Sequence, residues 1–297
     1  MEGIIKTNFI KEALPFFKKF KGNKIVVKYG GSAMESSKAN KTIIKDIATL
    51  KALGLKPIVV HGGGNEISAM LDVLKIESSF VDGLRVSSKE CVEVVEMVLS
   101  GKINKGIVTE LSKEGAKAIG LSGKDGDLLL AKKIIGKVDL GFVGEITDVK
   151  SELIEMLIDM DYIPVIAPIA KDEEGNTYNV NADYAAVAIA SAIKAEKLVF
   201  LTDVEGVLMD KDDLHSIIHY LSKRKAVELI GSGIINGGMI PKVNSCIEAV
   251  NSGVSMAHII DGRQEHPLIL EIYTHDGIGT MIYEKEEDYE GNIAKIS

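Results

Sequence analysis

Tryptophan is absent from this chain, and cysteine (2), proline (6) and aromatic residues of any kind (5%) are scarce. The two cysteines, Cys91 and Cys246, stand far apart, each inside an apolar helical pattern (CVEVVEMVL and CIEAV). They do not make a disulfide-dense secreted scaffold and read as small buried hydrophobes in a reducing compartment. A basic tract is missing too: 35 Lys plus Arg against 43 Asp plus Glu give a net charge of -8 and a pI near 5.4, which argues against a nucleic-acid binder. No apolar run nears the ~20 residues of a membrane span. Glu2, Lys6, Lys11, Glu12, Lys18 and Lys19 interrupt the opening segment, so no signal-peptide core is expected there and the protein reads as soluble and cytoplasmic.

The common nucleotide signatures are also missing. There is no G-x-x-x-x-G-K-[ST] and no protein-kinase set of motifs. Gly231-Ser232-Gly233-Ile234-Ile235-Asn236 comes nearest to a dinucleotide fingerprint, but it lacks the third glycine and no convincing strand precedes it. His215 and His219 have i, i+4 spacing but no acidic or cysteine partner at metal-site spacing, so no protein-held metal is expected.

What the chain has is 46% hydrophobic residues and 29 glycines, the latter clustered. Short β-branched runs alternate with helical patterns, and the runs are continuously apolar, the mark of parallel strands buried on both faces. The expectation is an α/β fold with an open, mainly parallel sheet. Residues 115–150, rich in Gly/Asp turns, read as antiparallel hairpins on the edge of that sheet. YIPVIAPIA reads as one strand, 183–193 as an Ala-rich helix and 241–251 as a helix. The expected organisation is a kinked N-terminal helix over 1–20, with Pro15 at the kink, one lobe over 21–195 and a second over 196–297.

Two glycine clusters follow buried strands: Lys28-Tyr29-Gly30-Gly31-Ser32 and His61-Gly62-Gly63-Gly64-Asn65. In an open parallel sheet the ligand crevice lies at the carboxyl ends of the strands. Such glycines make tight turns, or they let backbone N–H groups close on an anion at a helix N-terminus. Two clusters in consecutive units favour the second alternative. Lys28 sits beside the first cluster, and Lys242 falls in a first helical turn behind Pro241, where a cation opposes the helix dipole unless an anion is bound. Asp183 reads as an acidic residue favoured at a helix N-terminus, and Asn179 as a turn residue.

Together KYGGSAM (28–34), VVHGGG (59–64), VDGLRVS (81–87), NVNAD (179–183), LTDVEGV (201–207) and GGMIPKV (237–243) resemble the amino acid kinase family over residues 20–285. The resemblance implies an αβα sandwich with the acceptor on the first lobe and ATP, carrying Mg²⁺, on the second. It assigns Lys28 and Lys242 to the transferring phosphoryl group, with Asp183 holding the two lysines. Gly30, Gly31 and Gly62 would cradle phosphate, and Gly63, Gly64, Arg85 and Asn179 would meet the acceptor. Thr202, Asp203 and Gly206 would lie by the nucleotide. DGLRVS with NVNAD implies N-acetyl-L-glutamate as acceptor; an N-modified α-aminoadipate, one methylene longer, and a non-catalytic sensor of the same fold are the alternatives. A carboxylate acceptor, ordinarily ionised above pH ~4.3, needs no general base, only cations and N–H donors that relieve repulsion between two anions.

Residues 8–20 (NFIKEALPFFKKF) set Ile10, Leu14, Phe17 and Phe20 at helical spacing. Arginine-sensitive members of the family carry a similar helix that joins dimers into a hexamer. His258, Glu271 and Gly277 fall in stretches that resemble their effector site. The resemblance therefore implies a homo-oligomer, dimer or hexamer, and inhibition by L-arginine.

Overall fold

The computed structural model describes residues 2–31, 34 and 37–284, so Ser32 and Ala33 of the first glycine motif, and everything after Glu284, lie outside the described residues. Helix α1 (Glu2–Phe20) leads into two strand–helix units, β1 (Lys24–Tyr29) with α2 (Ser37–Ala52) and β2 (Lys56–His61) with α3 (Gly64–Leu74). A small hairpin follows, β3 (Phe80–Val81) and β4 (Leu84–Arg85). Next comes α4 (Lys89–Glu96), which runs through a π-helical segment, Met97–Ile103, into α5 (Asn104–Lys113). After it stand β5 (Ala118–Ser122), β6 (Leu129–Lys133), β7 (Gly144–Val149), α6 (Glu152–Asp159), β8 (Ile163–Ala167), β9 (Ile169–Lys171) and β10 (Thr177–Asn179). The remainder comprises α7 (Ala182–Ala192), β11 (Lys197–Thr202), β12 (Tyr220–Ser222), α8 (Lys223–Gly231), α9 (Met239–Asn251), β13 (Met256–Asp261), α10 (Pro267–Tyr273) and β14 (Thr280–Tyr283).

Eight strands form one sheet in the order β12-β14-β13-β11-β1-β2-β8-β5, with parallel neighbours except for the antiparallel pair β13–β14. The expected open, mainly parallel α/β sheet is thus present. Its central strands are buried on both faces, which is why they read as unbroken apolar runs. The two-residue period sends Ile25, Val27 and Tyr29 of β1 into one apolar layer, and Val26 into the other. Each such buried side chain contributes roughly 1.5–3 kcal/mol. Lys28 shares the face of Val26 and so points toward the layer that contains α7.

Four sequence expectations are corrected. Of residues 115–150, β5 is a parallel edge strand of the main sheet, whereas β6 and β7 pair antiparallel in a separate four-stranded sheet, β10-β9-β6-β7. The Gly/Asp turn between β5 and β6 hands the chain from one sheet to the other. The run YIPVIAPIA is two strands, because Pro168 ends β8 and β9 then joins the second sheet. Helix α9 starts at Met239, capped at Gly238, so Pro241 is its third residue and Lys242 its fourth. Proline is tolerated there because the first four N–H groups of a helix have no intrahelical acceptor.

The last correction concerns the apolar stripe of α1, a helix with Pro15 inside it. Its buried face carries Ala13, Phe16 and Phe20, and Phe17 meets Tyr273 of α10 edge-on at 4.5 Å between ring centroids. Ile10 and Leu14, expected on the same stripe, are 59% and 46% exposed. No helix among the described residues is long and apolar enough to cross a membrane.

Candidate active site

The two glycine clusters meet at the carboxyl ends of neighbouring strands. Gly62 N–H donates to the Tyr29 carbonyl at 2.8 Å, and a Cβ on Gly30 would stand 3.2 Å from Gly62 N. The strand-to-helix turns therefore close against each other, backbone to backbone. Gly63 fits under the π-helical segment, where a Cβ would fall 2.1 Å from Ile103 Cδ1.

Two cavities open on this junction. The first, of about 100 Å³, is lined by Lys28, Gly30, Gly31, Asp183, residues 200–203 and Lys242. Asn181 caps α7 by accepting from Asp183 N–H at 2.8 Å. Asp183 stands in the first turn of α7, where an acidic residue was expected, and with the cap supplied by Asn181 its carboxylate meets Lys28 Nζ at 2.8 Å. Lys242 reaches the same cavity from the first turn of α9 and has no ion-pair partner among the described residues. Two lysines reach the cavity, Lys28 from strand β1 and Lys242 from helix α9, and one aspartate anchors Lys28.

The second cavity, of about 180 Å³, is lined by Gly62, Gly63, Gly64, Arg85, Asn179 and Asn181 among others, with Phe80 at its edge. Arg85 is buried and its guanidinium is already engaged. One Nη donates to Ser78 Oγ at 2.9 Å, the other to the Gly64 carbonyl at 2.9 Å and to Ser68 Oγ at 2.8 Å. It also lies over the Phe80 ring at 4.6 Å. Burial pushes its pKa down from the usual range. Asn179, at the end of β10, reaches Ser87 Oγ at 3.4 Å.

Among the residues singled out near the nucleotide, Thr202 and Asp203 line the first cavity and Gly206 lines neither. The Thr202 hydroxyl bonds Val204 and Ile260 carbonyls at 3.0 and 3.2 Å, which organises the loop after β11. Gly206 is needed by that loop: its φ of 152° is a glycine conformation, and a Cβ there would stand 2.6 Å from Thr280 Oγ1. His215 lies in a short 3-10 turn and His219 bonds the Gly279 carbonyl at 3.1 Å, so the pair does not share a helix.

A third cavity shares no lining residue with the first two. It brings His258, Glu271 and Gly277 together with Phe16, Lys19 and Phe20 of α1. Glu271 Oε1 meets His258 Nδ1 at 2.7 Å, and Oε2 accepts from the N–H groups of Ile278 and Gly279 at 2.8 and 2.9 Å. Burial pushes the Glu271 carboxyl up, but the His258 ring and those N–H groups outweigh it and hold it below the usual range. Burial, with Lys197 beside it, pushes His258 down. Lys197 itself escaped the sequence reading. It opens an ordinary apolar strand, yet its Nζ lies 3.2 Å from His258 Nε2 and 4.6 Å over the Phe20 ring, and burial lowers its pKa to about 8. Nothing local in KLVFLT distinguishes it.

A family model described as the amino acid kinase family matches residues 23–261. The chain belongs to the amino acid kinase family. Among its curated relatives, the acetylglutamate kinase of Caldanaerobacter subterraneus subsp. tengcongensis is 56% identical over 279 residues, covering 94% of this amino acid kinase and 93% of the relative. That of Petrotoga mobilis is 53% identical over 285 residues, covering 96% and 95%. An N-acetylglutamate synthase from Neisseria gonorrhoeae, in complex with coenzyme A and N-acetyl-glutamate, superposes with a TM-score of 0.82 at 23% identity; the match spans 94% of this chain and 63% of the synthase. Carbamate kinase from Giardia lamblia bound to AMP-PNP gives a TM-score of 0.67 at 16% identity, spanning 89% and 99%. These two likenesses place the fold of this amino acid kinase and no more.

Proposed function

We propose that this amino acid kinase transfers the γ-phosphoryl group of ATP to the side-chain carboxylate of N-acetyl-L-glutamate. The observation that carries this is the meeting of two unlike cavities at the Gly30–Gly62 contact, one lined by Lys28, Asp183 and Lys242, the other by glycine N–H groups, Arg85 and Asn179. Curated relatives more than 50% identical over nearly the whole chain bear the name acetylglutamate kinase, which selects the acceptor.

In this scheme the acceptor occupies the cavity of the 21–195 lobe and ATP the side of the 196–297 lobe. The attacking carboxylate is ionised at neutral pH, so the chain's task is to hold two anions together. Lys28, fixed by Asp183, and Lys242 neutralise charge on the transferring group, and the glycine N–H groups donate to its oxygens. Arg85 braces the acceptor pocket through Gly64 and Ser68, and an acceptor carboxylate docks on the guanidinium edge that these contacts leave open. Asp183 and Asp203 are too few to cage a metal alone, which fits a Mg²⁺ that arrives on the nucleotide phosphates and supplies further positive charge there.

With MgATP, N-acetyl-L-glutamate and hydroxylamine, the protein should accumulate a hydroxamate, and free glutamate should be a poor acceptor. Equal or faster reaction with free glutamate would overturn the assignment. Comparison of kcat/KM for N-acetylglutamate and the corresponding α-aminoadipate decides chain length, because one methylene is worth only ~1–3 kcal/mol.

Feedback inhibition by L-arginine in a hexameric ring belongs to the same proposal. Support comes from the third cavity, where Glu271 and His258 face aromatic residues of α1, and from Ile10 and Leu14, which leave an apolar ridge on α1 uncovered. Arginine must also bind one ring conformation better than another, since equal affinity shifts nothing.

A further inference from the structure

Beneath the second glycine cluster lies a buried polar chain that phosphoryl transfer, as described above, does not use. His61 ends β2 with no exposed surface, and Asn104 opens α5, directly after the π-helical segment, equally buried. His61 Nδ1 is 3.1 Å from the Gly62 carbonyl, and its Nε2 is 3.2 Å from Asn104 Nδ2. A carbonyl only accepts, so Nδ1 carries the proton and Nε2 accepts from the amide. Asn104 Nδ2 also lies 2.9 Å from the Val165 carbonyl and 3.2 Å from that of Leu121, while its Oδ1 accepts from Lys105 Nζ at 3.1 Å. Every ring and amide heteroatom in this chain has a partner. The sequence makes room for it: a Cβ on Gly120 of β5 would stand 1.7 Å from Asn104 Oδ1. Burial lowers the pKa of His61 to about 4, so the ring is neutral at neutral pH.

The consequence falls on one peptide group. The Gly62 carbonyl and the Gly63 N–H belong to the same trans peptide and point in opposite directions. With the carbonyl tied down to His61, the Gly63 N–H is turned away from the ring, and Gly63 is among the residues that line the second cavity. Its N–H has no acceptor among the described residues, whereas the preceding N–H, of Gly62, is held by Tyr29. The π-helical segment closes over the same turn through Ile103 and Leu99, whose Cδ1 and Cδ2 atoms stand 2.1 and 2.9 Å from where a Gly63 Cβ would lie.

We propose that His61, braced by Asn104, is a positioning residue for phosphoryl transfer, fixing the Gly62–Gly63 peptide so that the Gly63 N–H donates to the transferring group. This rests on the function proposed above. Preorganised donors of this kind act on charge that develops in the transition state, so the effect belongs in kcat and not in substrate binding.

Two variants of like chemistry and opposite reach test it. His61→Asn keeps an N–H donor at the Nδ1 position, next to the Gly62 carbonyl, and gives up the contact with Asn104. His61→Gln keeps a polar group at the Nε2 position and gives up the donor to Gly62. His61→Asn should keep kcat within about threefold, while His61→Gln should lose about ten- to a hundredfold in kcat with both KM values little changed. Affinity for MgADP with aluminium fluoride in the presence of N-acetylglutamate should fall by a similar factor in His61→Gln, and affinity for MgADP alone should not. Equal kcat in the two variants, or parallel loss of kcat, KM and thermal stability, would overturn the role. If His61→Gln does not fold, the wild-type protein decides the matter: the Gly63 amide proton, followed by NMR after glycine-selective labelling, should move downfield when the aluminium fluoride complex forms, and an unmoved signal refutes the proposal. Absence of hydroxamate formation by the wild type would instead remove the function on which all of this rests.

Discussion

Gly63→Ala offers a sharp test of how the acceptor pocket is supported. The added methyl would lie 2.1 Å from Ile103 Cδ1, 2.9 Å from Leu99 Cδ2 and 3.6 Å from Ile103 Cγ1. The backbone itself is not the obstacle, since φ at Gly63 is 169°, an extended value open to any residue. Carbon atoms pack at about 3.5–4.0 Å, so Cδ1 must move by more than an ångström or the glycine turn must shift. Ile103 is 6% exposed and held in the core, which makes its displacement an overpacking event of ~1–3 kcal/mol. Ile103→Val removes the one atom that clashes worst, at an independent cost of ~0.5–1.5 kcal/mol. In the double variant the new methyl fills the space Cδ1 has left, so the two changes should couple favourably by about 1 kcal/mol or more. Urea denaturation of the four proteins of the cycle measures this. In parallel, the KM for N-acetylglutamate should rise about tenfold in Gly63→Ala and return to within about threefold of wild type in the double variant. Additivity in stability to within ~0.5 kcal/mol would refute the proposed contact.

Other outcomes follow from the remaining sites. Lys28→Ala and Lys242→Ala should each lower kcat by ~10²–10³, the scale for one preorganised charge donor, and near-normal kcat in both would rule out the site. Asp183→Asn should also depress kcat by releasing Lys28, while Arg85→Ala should act chiefly on the acceptor KM. Lys197 has a folded pKa of about 8 against 10.5 for the free side chain, so between those values the unfolded chain binds more protons and folding stability rises with pH. Relative to Lys197→Met, the wild type should therefore gain up to about 3 kcal/mol from pH 8 to 10.5, and parallel pH profiles in urea would contradict this. Ile10→Asp combined with Leu14→Asp should lower the mass seen by light scattering from hexamer to dimer and abolish arginine inhibition while the fold persists, because both side chains are exposed. A wild-type dimer indifferent to arginine would sink the regulatory proposal and leave the kinase assignment standing.

Much of this molecule is readable from local chemistry. Apolar runs without alternation announce strands buried on both faces, and glycines at their ends announce turns where backbone meets backbone; both depend on neighbours a few residues away. Lys28, Asp183 and Lys242 could be singled out because each sits beside a glycine turn or in a first helical turn, where its charge needs a reason. The separate second sheet was not readable, since the same Gly/Asp turn serves a hairpin or a crossing between sheets, and only long-range pairing distinguishes them. The same holds for α1, where a helical stripe shows which residues share a face but not which part of it another element covers; Tyr273, far along the chain, settles that. Lys197, His61 and Asn104 are the clearest cases. Their sequence surroundings are those of ordinary strands and helices, and their roles arise from partners 17 to 61 residues away, brought within hydrogen-bond distance only when the sheet and its helices pack and water is excluded around them.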